Sequence, residues 1–236
     1  QLCHELKIME SNNRTEEMRE NPFLIPFDKL PTTLPLFPLA HAVVMPGCHL
    51  PLNIFEPRYL TMVGDTLKKD RLIGMILPEE TLKSEGVTFK TGTAGRIISF
   101  NETPDGKILI ILSGVCRFDI VKELDDEHPY RTAEVSWGRF QSDYEAASDM
   151  TNQERERLFD LLRSYFGKKG YQTDWNSVEE LPTNLLVNAL TGQLPLETRE
   201  RQALIESISP TERLDKLIHL LEFDVADSNG TLAIRH

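Results

Sequence analysis

The apolar residues of this chain change their spacing partway along it, from a period of two to a period of about 3.6 residues. From Leu34 to about Trp137 they alternate or form short runs rich in Ile, Val and Leu, which is typical of strands. After about Ser142 they recur at every third or fourth position, as on one face of a helix. The sequence therefore predicts an α+β fold, with a β-rich part followed by a small α-helical bundle.

The β-rich part is predicted to contain seven strands and one helix. The strands are expected at 34–39, 43–45, 49–54, 71–77, 87–100, 107–121 and 130–138. Residues Glu56–Lys69 have helical spacing, and Pro57 suits the first turn of a helix. The Thr-Pro-Asp-Gly sequence at 103–106 predicts a tight turn, because Pro presets φ and Gly accepts a positive φ. A strand, a helix and then several antiparallel strands favour a partly closed β-barrel.

The helical part is predicted to contain four helices. They are expected at Asn152–Lys169, Pro182–Gln193, Thr198–Ser207 and from Pro210 onward. Ser209 and Glu212 have the spacing of a capping box at the start of the last helix. The pair Glu179-Glu180 is predicted to lie at the entrance of a helix, where negative charge is favoured.

Composition and spacing divide the chain into four segments. Residues 1–26 are polar and charged, and they are predicted to be a disordered leader. Residues 27–140 are the predicted β-rich subdomain, and residues 141–224 are the predicted helical subdomain. Residues 225–236 are polar and are predicted to be a flexible tail.

Charge and cysteine content narrow the classes of function. The chain has 37 acidic and 26 basic residues, and its net charge of −11 argues against binding nucleic acid, whose phosphates attract cations. The three cysteines, Cys3, Cys48 and Cys116, lie far apart and predict neither a disulfide framework nor a zinc site, so a cytoplasmic location is favoured. No apolar run approaches the roughly 20 residues of a membrane helix.

Enzyme motifs are not found in the sequence. The segment Asn101–Ile108 comes nearest to a phosphate-binding loop, but it lacks the first Gly and the hydroxyl that would hold magnesium. Ser113 and Ser136 have no nucleophile elbow around them. His41 and His49 lie near Cys48, but a spacing of eight residues with a single Cys is not a ligand pattern. We predict no catalytic residue, no metal and no cofactor.

Six short motifs along residues 34–224 carry a family signature. They are Leu34–Leu39, Met45–Gly47, Leu50–Tyr59, Gly92–Ile97, Pro104–Gly106 and Leu112–Phe118. In this order and spacing they resemble the N-terminal, substrate-binding domain of Lon proteases. The resemblance implies a PUA-like β-rich subdomain followed by helices. Because an ATPase and a peptidase would not fit in this length, we expect a protein of the standalone bacterial type.

The resemblance implies a non-enzymatic module that binds unfolded or client polypeptides. Its expected partners are such clients and a protease or chaperone system, with neither nucleic acid nor membrane. The alternative is a small-molecule sensor that uses a pocket between the β-rich and helical subdomains. RNA binding, which PUA-like folds also suggest, is opposed by the net charge of −11.

The predicted binding surface is the junction between a strand and a helix at residues 55–59. In the functional interpretation, Arg58 and Tyr59 present charge and an aromatic face to an extended polypeptide. In the interpretation that we favour, Tyr59 packs in the barrel while Glu56 and Arg58 tie the helix start to neighbouring strands. Arg96 and Arg117 lie on predicted strands, where Glu56 is one candidate partner, and such a pair would equally suit a structural network. The candidate binding residues are Phe55, Glu56, Arg58, Tyr59, Arg96 and Arg117.

Overall fold

The structure, a computed structural model, describes residues 23–40, 42–79, 86–145 and 150–227. The strands are β1 (Thr33–Pro38), β2 (His49–Ile54), β3 (Leu72–Ile76), β4 (Thr91–Glu102), β5 (Ile108–Leu124) and β6 (Thr132–Ser136). The α-helices are α1 (Pro57–Leu67), α2 (Asn152–Lys169), α3 (Trp175–Glu180), α4 (Thr183–Gln193), α5 (Thr198–Glu206) and α6 (Pro210–Asp227). Two short 3₁₀ segments lie at Phe27–Lys29 and Gly138–Tyr144.

The strands form one mixed sheet in the order β2-β5-β4-β3-β1-β6. Strand β6 also pairs with β5, so that β5, β4, β3, β1 and β6 close a ring of pairings. The β1–β3 pair is parallel and the other pairs are antiparallel. Because β2 pairs with β5 alone, the sheet is partly ring-like without being a full barrel. The predicted α+β fold, with a partly closed β-rich part followed by helices, is confirmed.

Three apolar clusters hold these elements together. Helix α1 packs on the sheet through Met62 and Val63, which are fully buried. A second cluster fills the opposite side of the sheet around Phe118 and Phe140. The third cluster contains the apolar faces of the helices together with Val43, Met45, Cys48 and Leu77 from the β-rich part. The helical part is therefore anchored on the sheet by shared apolar packing.

The strand predicted at 43–45 is wrong. These residues are buried but belong to no strand, and they lead into a turn at Pro46-Gly47 in which Cys48 N–H donates to Met45 O at 2.9 Å. Val44 packs against the sheet and α1, whereas Val43 and Met45 pack against the helices. The alternating pattern therefore arises because the segment is enclosed between two apolar clusters.

The predicted helices are confirmed, whereas the predicted position of Glu179-Glu180 is wrong. Helix α2 has the bounds that its spacing predicts, with a capping box between Thr151 and Glu154 at its start. The short helix α3 was not predicted, and it places Glu179-Glu180 at a helix end instead of an entrance. At the start of α6, Ser209 Oγ accepts a hydrogen bond from Glu212 N–H at 3.0 Å, as in the predicted capping box. The Glu212 carboxylate, however, accepts from Ile208 N–H and not from Ser209 N–H.

Arginine side chains satisfy carbonyl groups at the ends of several helices. Arg155 donates to Leu181 O at 3.0 Å after α3, and Arg201 donates to Leu194 O at 2.8 Å after α4. Arg213 donates to Leu204 O at 3.0 Å in the last turn of α5. The last carbonyl groups of a helix have no partner within it, so these cations stabilise the ends both as donors and as positive charges.

Candidate functional site

The junction of β2 and α1 contains a local ion pair and a buried aromatic ring. Arg58 and Glu56 form an exposed ion pair at 2.8 Å, and the Arg58 guanidinium lies 4.6 Å from the centre of the Tyr59 ring. Tyr59 is only 7% exposed and packs on Phe37, with ring centres 4.3 Å apart. Burial raises the pKa of Tyr59 despite the neighbouring guanidinium. The Tyr59 ring is thus part of the core, and Glu56 pairs with Arg58 instead of Arg96 or Arg117.

Beyond this junction, one end of the sheet projects as a three-stranded flap. The flap consists of residues 49–54 of β2, 97–102 of β4 and 108–113 of β5. Pairing of β3 with β4 stops at Leu72–Arg96, so the last part of β4 is paired with β5 alone. Four large apolar side chains on or directly beside the flap are 40–61% exposed, and we call them the flap surface. They are Phe55, Ile98, Phe100 and Leu109.

The flap surface extends over both faces of the flap. Phe100 lies opposite the buried Ile110, so the two side chains are on the face that α1 partly covers. Leu109 directly precedes Ile110 in β5, so its side chain points to the other face. Pro51 in the edge strand β2 has no N–H to offer a further strand, which blunts that edge against backbone pairing. Side chains are therefore the main feature that the flap presents to a partner.

Arg117 lies in the interior, where it cannot contact a bound polypeptide. It is 1% exposed and forms a two-point ion pair with Asp143, with its Nη2 2.7 Å from Asp143 Oδ1. Its Nη1 donates to Ile205 O, within α5, at 2.9 Å and also to Ser207 O, which lies just beyond the end of that helix. The guanidinium also lies 4.4 Å from the centre of the Phe140 ring. Arg117 therefore joins β5, the 3₁₀ segment and the helical part.

A second buried guanidinium extends this polar network. Arg213 donates to Asn188 Oδ1 at 2.7 Å, and Asn188 Nδ2 donates in turn to Pro46 O at 2.9 Å. Burial lowers the pKa of Arg213, and the positive charge of Arg117 lowers it further. The sequence pattern indicated neither Asp143 nor Asn188, because an ion pair between residues 26 apart leaves no periodic signal.

Arg96 is half-buried at the base of the flap and close to a second arginine. Its guanidinium lies 5.6 Å from the centre of the Phe23 ring. Burial lowers the pKa of Arg96, and the charge of Arg71 adds to this effect. Arg71 has a φ of 61°, the left-handed conformation that favours glycine and costs a non-glycine residue about 1 kcal/mol or more.

A cleft of about 160 Å³ lies beside Arg71, between the end of α1 and strands β1, β5 and β6. Tyr130 and Asp65 meet across it, with the Tyr130 hydroxyl donating to Asp65 Oδ2 at 3.1 Å. The His128 ring stacks on Tyr130 with centres 4.9 Å apart. This cleft lies within the β-rich part, so it is not the predicted pocket between the two subdomains.

Two tyrosines are expected to titrate well above their ordinary pKa of 10.0. Burial raises the pKa of Tyr130 to about 12, helped by its hydrogen bond to Asp65, and burial also raises that of Tyr165 to about 12. The unfolded chain would release these protons near pH 10, so this stabilisation is complete below pH 10 and is lost as the pH rises through 12. Ultraviolet titration should show late-titrating groups, of which one is missing in Tyr130→Phe and another in Tyr165→Phe. Titration of both near pH 10 would contradict the described burial.

The described residues contain neither a group of side chains that could hold a metal ion nor a helix that could cross a membrane. Within the described ranges, no three His, Cys, Asp or Glu side chains are grouped so that they could hold a metal ion. Cys48 and Cys116 are both buried, and burial raises the pKa of the Cys116 thiol. Cys3 and His41 lie outside the described residues. Among the helices of the described part, none combines the length and apolar character needed to cross a membrane.

Comparison with known proteins identifies the class to which this fold belongs. A sequence model described as the ATP-dependent protease La (LON) substrate-binding domain matches residues 33–222. The chain therefore belongs to the family of Lon substrate-binding domains. This family assignment confirms the resemblance that the six sequence motifs carry.

Curated relatives are whole Lon proteases. The chain is 28% identical over 211 residues to the Lon protease of Cytophaga hutchinsonii, a match that covers 84% of this chain and 25% of the relative. It is 24% identical over 225 residues to the Lon protease of Parabacteroides distasonis, covering 88% of this chain and 26% of the relative. The chain thus spans about a quarter of the length of these relatives.

Solved structures of Lon N-terminal domains have the same fold. A Lon N-terminal domain protein from Xanthomonas campestris has a TM-score of 0.60 and 26% identity, and the match covers 80% of this chain and 98% of that structure. The N-terminal domain of a Mycobacterium avium complex Lon protease has a TM-score of 0.57 at 15% identity, covering 83% and 98%. The second likeness concerns the fold alone.

Proposed function

We propose that this chain is a non-catalytic recognition domain that binds unfolded polypeptides through the flap surface. The observation that carries the proposal is the exposure of Phe55, Ile98, Phe100 and Leu109 at one projecting end of the sheet. Clustered exposed apolar side chains mark protein interaction sites in soluble proteins. Membership of a family described as substrate-binding domains supports the same function.

The physical basis of recognition is burial of apolar surface that an unfolded client also exposes. Burying one large apolar side chain contributes about 1.5–3 kcal/mol, and association and ordering costs offset part of this. A flap surface of a few such side chains therefore suits weak and reversible binding with little sequence preference. Reversible binding is what a recognition step before proteolysis requires.

The six candidate residues have different parts in this proposal. Phe55 belongs to the flap surface, and the exposed Glu56–Arg58 pair borders it. Tyr59 supports the start of α1 from inside the core. Arg96 lies at the base of the flap, whereas the buried Arg117 holds the helical part. A protease or chaperone system as partner, and a cytoplasmic location, remain proposals drawn from the Lon relatives.

Loss of the flap surface should weaken binding without unfolding the protein. We expect the variants Phe100→Ser and Leu109→Ser each to weaken binding of a reduced, carbamidomethylated client protein about tenfold, since each removes apolar burial worth about 1.5–3 kcal/mol. Binding would be measured by surface plasmon resonance, with thermal unfolding as a check on folding. Val121→Ser is the matched control, because Val121 is 59% exposed on the same strand but far from the flap.

These measurements distinguish binding through the flap surface from nonspecific hydrophobic binding. Retention of client affinity in both flap variants would overturn the proposal, as would an equal loss in Val121→Ser. Competition by the native, folded form of the same client would also count against it, because a folded client has buried the apolar residues in question.

A further inference from the structure

Arg71 keeps a large cationic side chain in a backbone conformation that favours glycine. Its φ is 61°, and its N–H donates to Thr66 O at 3.2 Å as the chain leaves α1. Glycine would form this helix end without steric cost. Backbone strain of this kind is a reason to look for a function of the side chain that is retained there.

Arg71 lies beside Arg96 at the base of the flap. The carbonyl of Arg71 accepts a hydrogen bond from Ile97 N–H at 2.8 Å, and the neighbouring Leu72 pairs directly with Arg96. Burial lowers the pKa of Arg96, and the nearby charge of Arg71 lowers it further. Like charges at neighbouring positions repel each other, and an anion bound beside both would relieve that repulsion.

Neither arginine has a carboxylate partner in the part of the chain that the structure describes. The ion pairs of the described residues include neither Arg71 nor Arg96, and even the adjacent Asp70 forms no ion pair with Arg71. This contrasts with Arg58, Arg117, Arg131 and Arg157, which each face a carboxylate. In a chain with a net charge of −11, two neighbouring guanidinium groups without a carboxylate partner are a local concentration of positive charge.

We propose that Arg71 and Arg96 form a carboxylate-binding site for acidic segments of a bound polypeptide. The planar fork of a guanidinium matches a carboxylate with two parallel hydrogen bonds. The exposed Phe23 ring beside Arg96 adds an apolar contact for the flanking residues of the client. The inference rests on the proposed polypeptide-binding function and deepens it, because the flap surface and the arginine pair together select apolar segments that also carry Glu or Asp.

The adjoining cleft gives such a segment room beside Arg71. Three acidic residues line the cleft, namely Asp65, Asp126 and Asp70, which directly precedes Arg71. Asp65 accepts hydrogen bonds from Tyr130 and Lys68, and Asp126 accepts them from Thr132 and from His128 N–H. Leu34 and Leu72 contribute apolar lining at the same place. The end of the cleft beside Arg71 is therefore the place where a client carboxylate would meet unpaired positive charge.

The test compares two labelled peptides that differ only in charge. One peptide alternates Phe and Glu, the other has Gln in place of every Glu, and both have an amidated C-terminus. Fluorescence anisotropy at low salt should show the Glu peptide binding about tenfold more tightly, because hydrogen bonds to charged groups are the stronger ones. That preference should disappear in Arg71→Gly and in Arg96→Gln. Arg157→Gln, which removes an exposed and paired cation on α2, should retain it.

The variant Arg71→Gly keeps the test clear of folding effects. It removes the guanidinium while relieving the left-handed backbone, so its thermal stability should equal or exceed that of the parent. A further arm uses the Gln peptide with a free C-terminus: tight binding that is lost in the same variants would assign the site to terminal carboxylates instead of side chains.

Two results would overturn the inference. One is equal affinity for the Glu and Gln peptides, and the other is a Glu preference that survives in both arginine variants. These results are distinct from failure of the flap surface, which shows as unchanged client binding in Phe100→Ser and Leu109→Ser. Those flap variants should weaken both peptides by the same factor and leave the preference for Glu intact.

Discussion

Replacing Arg117 by Met is expected to lower the free energy of unfolding by about 3–5 kcal/mol, the cost of leaving one partner of a buried ion pair alone. The change leaves Asp143 buried without its cation, since the side chain of Asp143 is only 7% exposed. It also removes the donors to Ile205 O and Ser207 O, which lie in and beyond α5. Urea unfolding followed by circular dichroism would measure the loss.

Two further variants define the origin of this effect. The double variant Arg117→Met/Asp143→Leu should be more stable than Arg117→Met alone, because it removes the unpaired carboxylate as well. The exposed pair of Arg157 and Glu222 supplies the control, and Arg157→Met should cost no more than about 1 kcal/mol. An Arg117→Met protein as stable as the parent would show that the buried pair does not hold the helical part.

The second large effect is expected for Gly114→Ala, with a loss of about 3 kcal/mol or more, at the upper end of overpacking costs. A Cβ atom at Gly114 would lie 2.1 Å from Met45 O, which is a backbone atom and cannot rotate away. Relief would require separating β5 from the 45–48 turn, and would break the hydrogen bonds from Gly114 N–H to Cys48 O and from Gly47 N–H to Gly114 O.

Gly64→Ala is the matched control for this prediction. Gly64 lies inside α1, and a Cβ atom there would have no heavy atom within 4 Å outside its own helix. Alanine should therefore raise the free energy of unfolding by about 0.5–1 kcal/mol through helix propensity and lower unfolded-state entropy. If Gly114→Ala unfolds within 1 kcal/mol of the parent protein, the close approach of Gly114 to Met45 is contradicted.

Local patterns were sufficient where the residues that define an element are neighbours in the sequence. The bounds of α2 follow from its apolar spacing, its Thr151–Glu154 capping box and Gly170, whose φ of 70° ends the helix. The turn at 103–106 forms as predicted, with Gly106 at a φ of 80°. Strand β2 has the bounds that its sequence predicts, since Pro46-Gly47 and Pro57 delimit it.

Local patterns failed where packing from distant parts of the chain decided the outcome. The buried segment 43–45 resembles a strand, but its side chains divide between two apolar clusters. For Tyr59 the sequence left an exposed and a buried interpretation open, and the contact with Phe37 decides for burial. For the candidate site, Phe55 is exposed as a binding residue requires, whereas Arg117 is enclosed.

Sequence patterns were sufficient to predict the class of fold and the family, because periodicity, caps and turn residues act over a few neighbouring positions. Which side chains remain exposed became clear from the packing of distant segments against one another. Arg117 reaches Ile205 across 88 residues of sequence, and Arg71 lies near Arg96 because β3 and β4 pair. Exposure depends on contacts between distant segments that no local pattern encodes, so the proposed binding surface could not be predicted from the sequence.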